Sequence, residues 1–260
     1  MTTRIAGRWF VTLVAVFISS SAFAQGMYWE SVTKGGPLGD RGMTSKSSVV
    51  SKKMRHEGGD GQVVIIRLDK DLIYMVSPAE KTYSEMTFVE LEATMKKAGA
   101  MMDSRTAELQ EKMKDLPAEQ REMMEKMMGG KMGGKKEPKI DVQGPGERKT
   151  IAGFSCAKYV ATSDGKTMVT SWVTKDVKGF DAMKKDWQEA GKRMAAMNPM
   201  NGKAMADAFM KMEGFPIQTE MEGGITMTVT KVDARSTPSS EFEVPAGYKK
   251  VDSPLHQMGK

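Results

Sequence analysis

Strand-like runs in this chain are joined either by two or three turn residues or by a long helical stretch. Nowhere does the steady strand-helix-strand rhythm of a parallel sheet appear. Val63 to Leu68 and Leu72 to Val76 flank Asp69-Lys70-Asp71 and read as a hairpin. Ser77-Pro78-Ala79-Glu80 then turns the chain into a short strand at Thr82 to Met86. Phe154 to Ala161 and Lys166 to Thr174 flank Asp164-Gly165, a dipeptide that accepts the positive φ angles of a type I′ turn. Gly223-Gly224 joins Ile217 to Met221 with a run in which Ile225, Met227 and Val229 alternate with threonines. Tyr28 to Val32 forms an early strand, and Phe242, Val244, Tyr248 and Val251 form a last extended segment.

Between the hairpins the period changes from two to three and four. Thr87-Phe88-Val89-Glu90 fits a capping box, and Phe88, Leu91, Met95, Ala98, Met102, Thr106, Leu109, Met113 and Leu116 continue one apolar stripe. Pro117 opens a second helix that runs to Met128. Phe180, Met183, Trp187, Ala190, Met194 and Met197 mark another helix, and Lys203 to Met212 a shorter one closed by Gly214. The predicted fold class is therefore α+β, an antiparallel sheet with helical insertions at about 87–128 and 179–213. Residues 129–138, rich in glycine and lysine, have no apolar face and read as a mobile linker.

The first 24 residues stand apart. Arg4 and Arg8 precede an apolar run from Trp9 to Ile18, and Ala22-Phe23-Ala24 makes a small-x-small end, the order of a secretory signal cleaved after Ala24. The run is half the roughly 20 residues that a spanning helix needs, so no stable membrane span is expected. A single domain from 25 to 260, exported to a bacterial periplasm, is the expectation. Losing Arg4 and Arg8 and no acid lowers the net charge from +6 to +4, and basic residues alternate with acids along the helices. Nucleic-acid binding is not expected from that pattern.

The inventory for catalysis is poor. His56 and His256 are the two histidines, and there is no nucleophile elbow, phosphate loop or His-x-x-x-His pair. The expectation is a protein that is not an enzyme and needs no cofactor. The single cysteine, Cys156, reads as a buried small apolar residue, with a free reactive thiol as the sharper alternative. Methionine is the anomaly. Of 26, nine lie between Met95 and Met132 and seven between Met183 and Met212. Unbranched, polarizable side chains suit a surface that repacks around variable apolar ligands. Alternatively, Met123, Met124, Met127 and Met128 place thioethers at i and i+4 on one helix, a spacing that could hold Cu(I). Plain core filler is the third reading.

Several stretches carry a family resemblance. Gly61-Gln62-Val63-Val64-Ile65-Ile66-Arg67-Leu68-Asp69, Leu72 to Pro78 and Lys81-Thr82-Tyr83 resemble strand-turn-strand passages of the periplasmic lipoprotein-carrier superfamily. Gly153 to Tyr159, Trp172-Val173-Thr174-Lys175-Asp176 and Phe242 to Tyr248 resemble an exported bacterial family known only as a domain of unknown function, of the DUF4412 type. The resemblance implies a half-open barrel wrapped around helices, whose concave apolar face holds acyl chains in the carriers. The two methionine-rich insertions depart from the carriers and either gate that concavity or fill it. The expected ligand is accordingly a lipid or a lipidated protein segment, held by Met95, Met102, Leu109, Trp187, Met194 and Phe209 on the helices. The rival readings are the soft-metal site and an interaction domain without a small ligand.

Overall fold

A computed structural model describes residues 24–114, 117, 120, 139–195 and 202–253. The predicted leader up to Phe23, the second helix of the first insertion apart from Pro117 and Gln120, the linker at 129–138 and the cluster Met123, Met124, Met127 and Met128 lie outside the described residues, whereas Ala24, the leader's last residue, is described.

Among the described residues, thirteen strands form one open, curved, mostly antiparallel sheet. In chain order they are β1 (Ala24–Lys34), β2 (Met43–Val50), β3 (Lys53–Glu57), β4 (Val63–Arg67), β5 (Leu72–Ser77), β6 (Thr82–Thr87), β7 (Ile140–Gln143), β8 (Arg148–Ile151), β9 (Phe154–Ser163), β10 (Lys166–Thr174), β11 (Phe215–Met221), β12 (Ile225–Thr237) and β13 (Lys249–Lys250). Helix α1 (Phe88–Lys114) follows β6, and α2 (Phe180–Met194) and α3 (Gly202–Lys211) lie between β10 and β11. The spatial order is β13-β6-β5-β4-β3-β2-β1-β12-β11-β10-β9-β7, with β8 also paired to β9. Strand β1 therefore sits between β2, its neighbour in sequence, and β12, some 200 residues away.

Local chemistry explains the hairpins. Ser163 pairs with Lys166, leaving Asp164 at φ 49° and Gly165 at φ 76°, the two positive angles of the expected turn. Asp71 and Lys81 take left-handed φ values of 56° and 52° at the turns flanking β5. Register shifts interrupt β1 against β12 between Glu30 and Ser31 and β10 against β11 between Trp172 and Val173. Such irregularities sharpen local twist and bend the strand that carries them. Gly214 brings the chain from α3 into β11 at φ +136°, and a β-carbon there would stand 2.3 Å from the carbonyl oxygen of Thr174, so only glycine fits.

Thr87 caps α1 as its sequence indicates. Its N–H donates to Glu90 Oε2 at 2.7 Å, and the Glu90 N–H donates to Thr87 Oγ1 at 3.1 Å. The terminal segment differs from expectation. Ser239–Phe242 is a short 3-10 turn that buries Phe242 completely, and only Lys249–Lys250 join the sheet, parallel to β6. Phe242 packs on Val50, Val63, Ile65, Tyr74 and Val76, which explains why a segment with few strand hydrogen bonds is held in place.

Candidate functional site

The cross-strand register builds one continuous apolar row. Met27 pairs with Val49, Val49 with Met54, Met54 with Ile66, Ile66 with Ile73 and Ile73 with Met86, crossing six strands on one face. Two residues along, the next row is Trp29, Ser47, His56, Val64, Met75 and Ser84. Because side chains alternate, this face of β1–β6 carries no charged residue. Every lysine, arginine and glutamate of those strands, from Glu30 and Lys46 to Arg67 and Glu85, falls on the opposite face.

Two helices cover the uncharged face in separate places. Phe88, Leu91 and Met95 of α1 pack with Ile73 and Met86. Phe180, Met183 and Trp187 of α2 pack with Met27, Trp29, Val49 and Phe215. Rings tie α2 to the sheet, with Trp187 5.2 Å from Trp29 and Phe180 5.4 Å from Phe215. Polar contacts hold its flank. The Lys52 N–H donates to Asp186 Oδ2 at 2.8 Å, and Arg193 pairs with Asp71. Between the two apolar clusters, Met54, Val64, Ile66 and Met75 remain only half-buried, and Met194 reaches from α2 to the α1 cluster. On β3, β4 and β5 these half-buried residues lie between the sheet regions covered by α1 and by α2, with Met54 against the α2 cluster and Val64 and Ile66 against the α1 cluster.

At one side of these residues the face turns polar without acquiring charge. Ser47 Oγ lies 2.9 Å from His56 Nδ1, and Ser31 Oγ lies 2.8 Å from Ser45 Oγ. Burial of part of the imidazole lowers the His56 pKa below its ordinary value, although the nearby Asp60 carboxylate acts in the other direction.

Of the residues expected at a site, Met95 is buried in the α1 cluster, Trp187 is half-buried in the α2 cluster and Met194 links the two. Leu109 and Phe209 are 41% and 40% exposed and do not join them, and Met102 lies further along α1. Met54, Val64, Ile66 and Met75, together with Trp29, Ser47 and His56, were not anticipated as site residues. The alternation Met54-x-His56 was the available signal, and its five-residue strand was too short to separate from the surrounding polar sequence. Cys156 is fully buried and its thiol is pushed up by burial, in keeping with a packing role. Among the described residues no group of three or more His, Cys, Asp or Glu side chains is placed to hold a metal. No described helix is long and apolar enough to cross a membrane.

Comparison with known proteins gives a match to the family described as Domain of unknown function (DUF4412) over residues 90–248, well over half of the chain. The chain belongs to this family. The matched region of this DUF4412 protein begins in the first turn of α1, yet β1–β6, which lie before it, supply the uncharged face of the same sheet. No curated protein matches the chain. Two solved structures, titled "Structure of PNGF-II in C2 space group" and "Structure of PNGF-II in P21 space group", are similar at 10% identity, with TM-scores of 0.40 and 0.39 and 90% of this chain covered. The chain spans 32% of the length of those chains.

Proposed function

We propose that this DUF4412 protein is a non-enzymatic, exported periplasmic protein that binds an amphiphile, a lipid or a lipidated protein segment, in a groove between α1 and α2 whose floor is Met54, Val64, Ile66 and Met75. In this reading the curved sheet is a half-open barrel related to the lipoprotein carriers, and the helices are insertions that gate its concave face. One observation carries the proposal: a face of six strands without a single charged side chain, left half-exposed over Met54, Val64, Ile66 and Met75. Exposed contiguous apolar surface is costly in water and marks a place where an apolar partner sits. Met95 and Met194 beside it are side chains that repack with little strain.

The test is a titration of a homologous series of acyl chains, as fatty acids and as their glycerol monoesters, followed by tryptophan emission in the protein and in Trp187→Phe. Affinity should rise about fourfold per added methylene, from ~0.8 kcal/mol for each one buried. The emission change should shrink in Trp187→Phe, with Trp29 beside it supplying what remains. A flat response for both series, with Trp187→Ala costing about 3–5 kcal/mol of stability, would instead make α2 ordinary fixed core.

A further inference from the structure

Serine hydroxyls and one imidazole line one side of the uncharged face. Ser31, Ser45, Ser47 and His56 lie on the same face as the groove floor, and Trp29, whose ring meets Trp187 of α2, pairs directly with Ser47. Ser31 and Ser47 are 2% and 5% exposed, whereas Ser45 is half-buried and His56 reaches solvent. The pairing of Ser47 with Nδ1 orients the imidazole, and among the described residues Nε2 has no partner. The patch is thus a set of hydroxyl groups and one imidazole, ordered from buried to exposed along the edge of the apolar floor. Alternation sends the cations of the same strands, Lys46, Lys53 and Arg55, to the other side of the sheet.

An ionised carboxylate or phosphate drawn against this patch would lose hydration without meeting a cation of these strands, and Arg193 of α2, which lies over Phe88, is already paired with Asp71 and Glu189. Desolvating an unpaired charge is far costlier than desolvating a hydroxyl that finds a hydrogen bond. We infer that the groove takes amphiphiles whose head is an uncharged hydrogen-bonding group, such as the hydroxyls and ester of a glycerol monoester, and discriminates against carboxylate and phosphate heads at neutral pH. The imidazole and the serine hydroxyls both donate and accept, which suits the hydroxyls of a polyol head, and their donors suit an ester carbonyl, which only accepts. This inference rests on the amphiphile-binding reading and narrows its ligand class.

The test compares a glycerol monoester with the fatty acid and the lysophosphatidic acid of the same chain length, in the wild-type protein and in Ser47→Ala, His56→Ala and His56→Lys. The monoester should bind at least about tenfold more tightly than either anion. Ser47→Ala and His56→Ala should narrow that gap while leaving the gain per methylene unchanged, and His56→Lys should close or reverse it by placing a cation on the face. Thermal unfolding of each variant checks that it is folded, and the wild-type comparison decides the matter by itself if one is not. Equal or tighter binding of the anions, with chain-length dependence intact, overturns the head-group inference and leaves the binding reading standing. Failure of every compound to bind overturns both.

Discussion

Arg67 ends β4 with its side chain almost wholly enclosed, which a guanidinium tolerates only when its donors are used. Nε and Nη2 donate to the two carboxylate oxygens of Asp69 at 2.8 and 2.7 Å, and Nη1 donates to Glu243 and to the Phe242 carbonyl. This fork ties the β4–β5 turn to the segment that buries Phe242. Its hydrogen bonds hold the Asp69 carboxyl below its ordinary pKa. For Glu243 burial acts upward, but the bonds from Arg67 and Lys70 outweigh it and the net direction is also down. A depressed folded pKa gives stability that is complete above the unfolded value of about 4 and is lost as pH falls through the folded value. Asp69→Asn should therefore cost about 2–3 kcal/mol at neutral pH, since it weakens charged hydrogen bonds to an enclosed cation. Urea midpoints measured down the pH scale should show wild type and variant converging below about pH 4. A gap that stays constant into strong acid would show that the fork contributes nothing electrostatic.

The first turn of α1 depends on the reciprocal bonds between Thr87 and Glu90, and Thr87→Ala should cost about 1 kcal/mol, seen as faster amide exchange at the start of the helix. Unchanged exchange there would mean that Phe88 and Leu91, packed on the sheet, hold the turn without the cap. Here and at Asp164-Gly165 the sequence was legible because the information is local: a side chain bonds an amide three residues away, or a backbone angle admits few residue types. The apolar stripe of α1 was legible only as a stripe. Leu91, Met95 and Met113 are buried but Leu109 is not, because periodicity records which side of a helix is apolar and not how much of its length finds a partner. The floor of the proposed groove was hidden for the same reason at longer range. It draws Met54, Val64, Ile66 and Met75 from three strands, and their shared face exists only once the register is set.

At the scale of the whole molecule, β1 joins the strands on either side of it, β2 to β6 and β12 to β7, into one sheet. A chain ending before Ile225 lacks the strand that pairs with β1 from Ala24 to Lys34. That truncated protein should unfold over a broad, weakly cooperative range in urea and bind a hydrophobic dye, whereas the full chain should unfold in one sharp transition. A sharp transition in the truncated protein would show that β1–β6 close on themselves without β12.

The same pairing imposes a timetable on a chain made from its N-terminus onward. Met27 and Trp29 are made some 200 residues before their permanent neighbours Ala234 and Val232. Until β12 is made, β1 has one open, hydrogen-bond-hungry edge of the kind that recruits unwanted partners. The long interval between the two strands makes the β1 edge the place where a misdirected pairing would start.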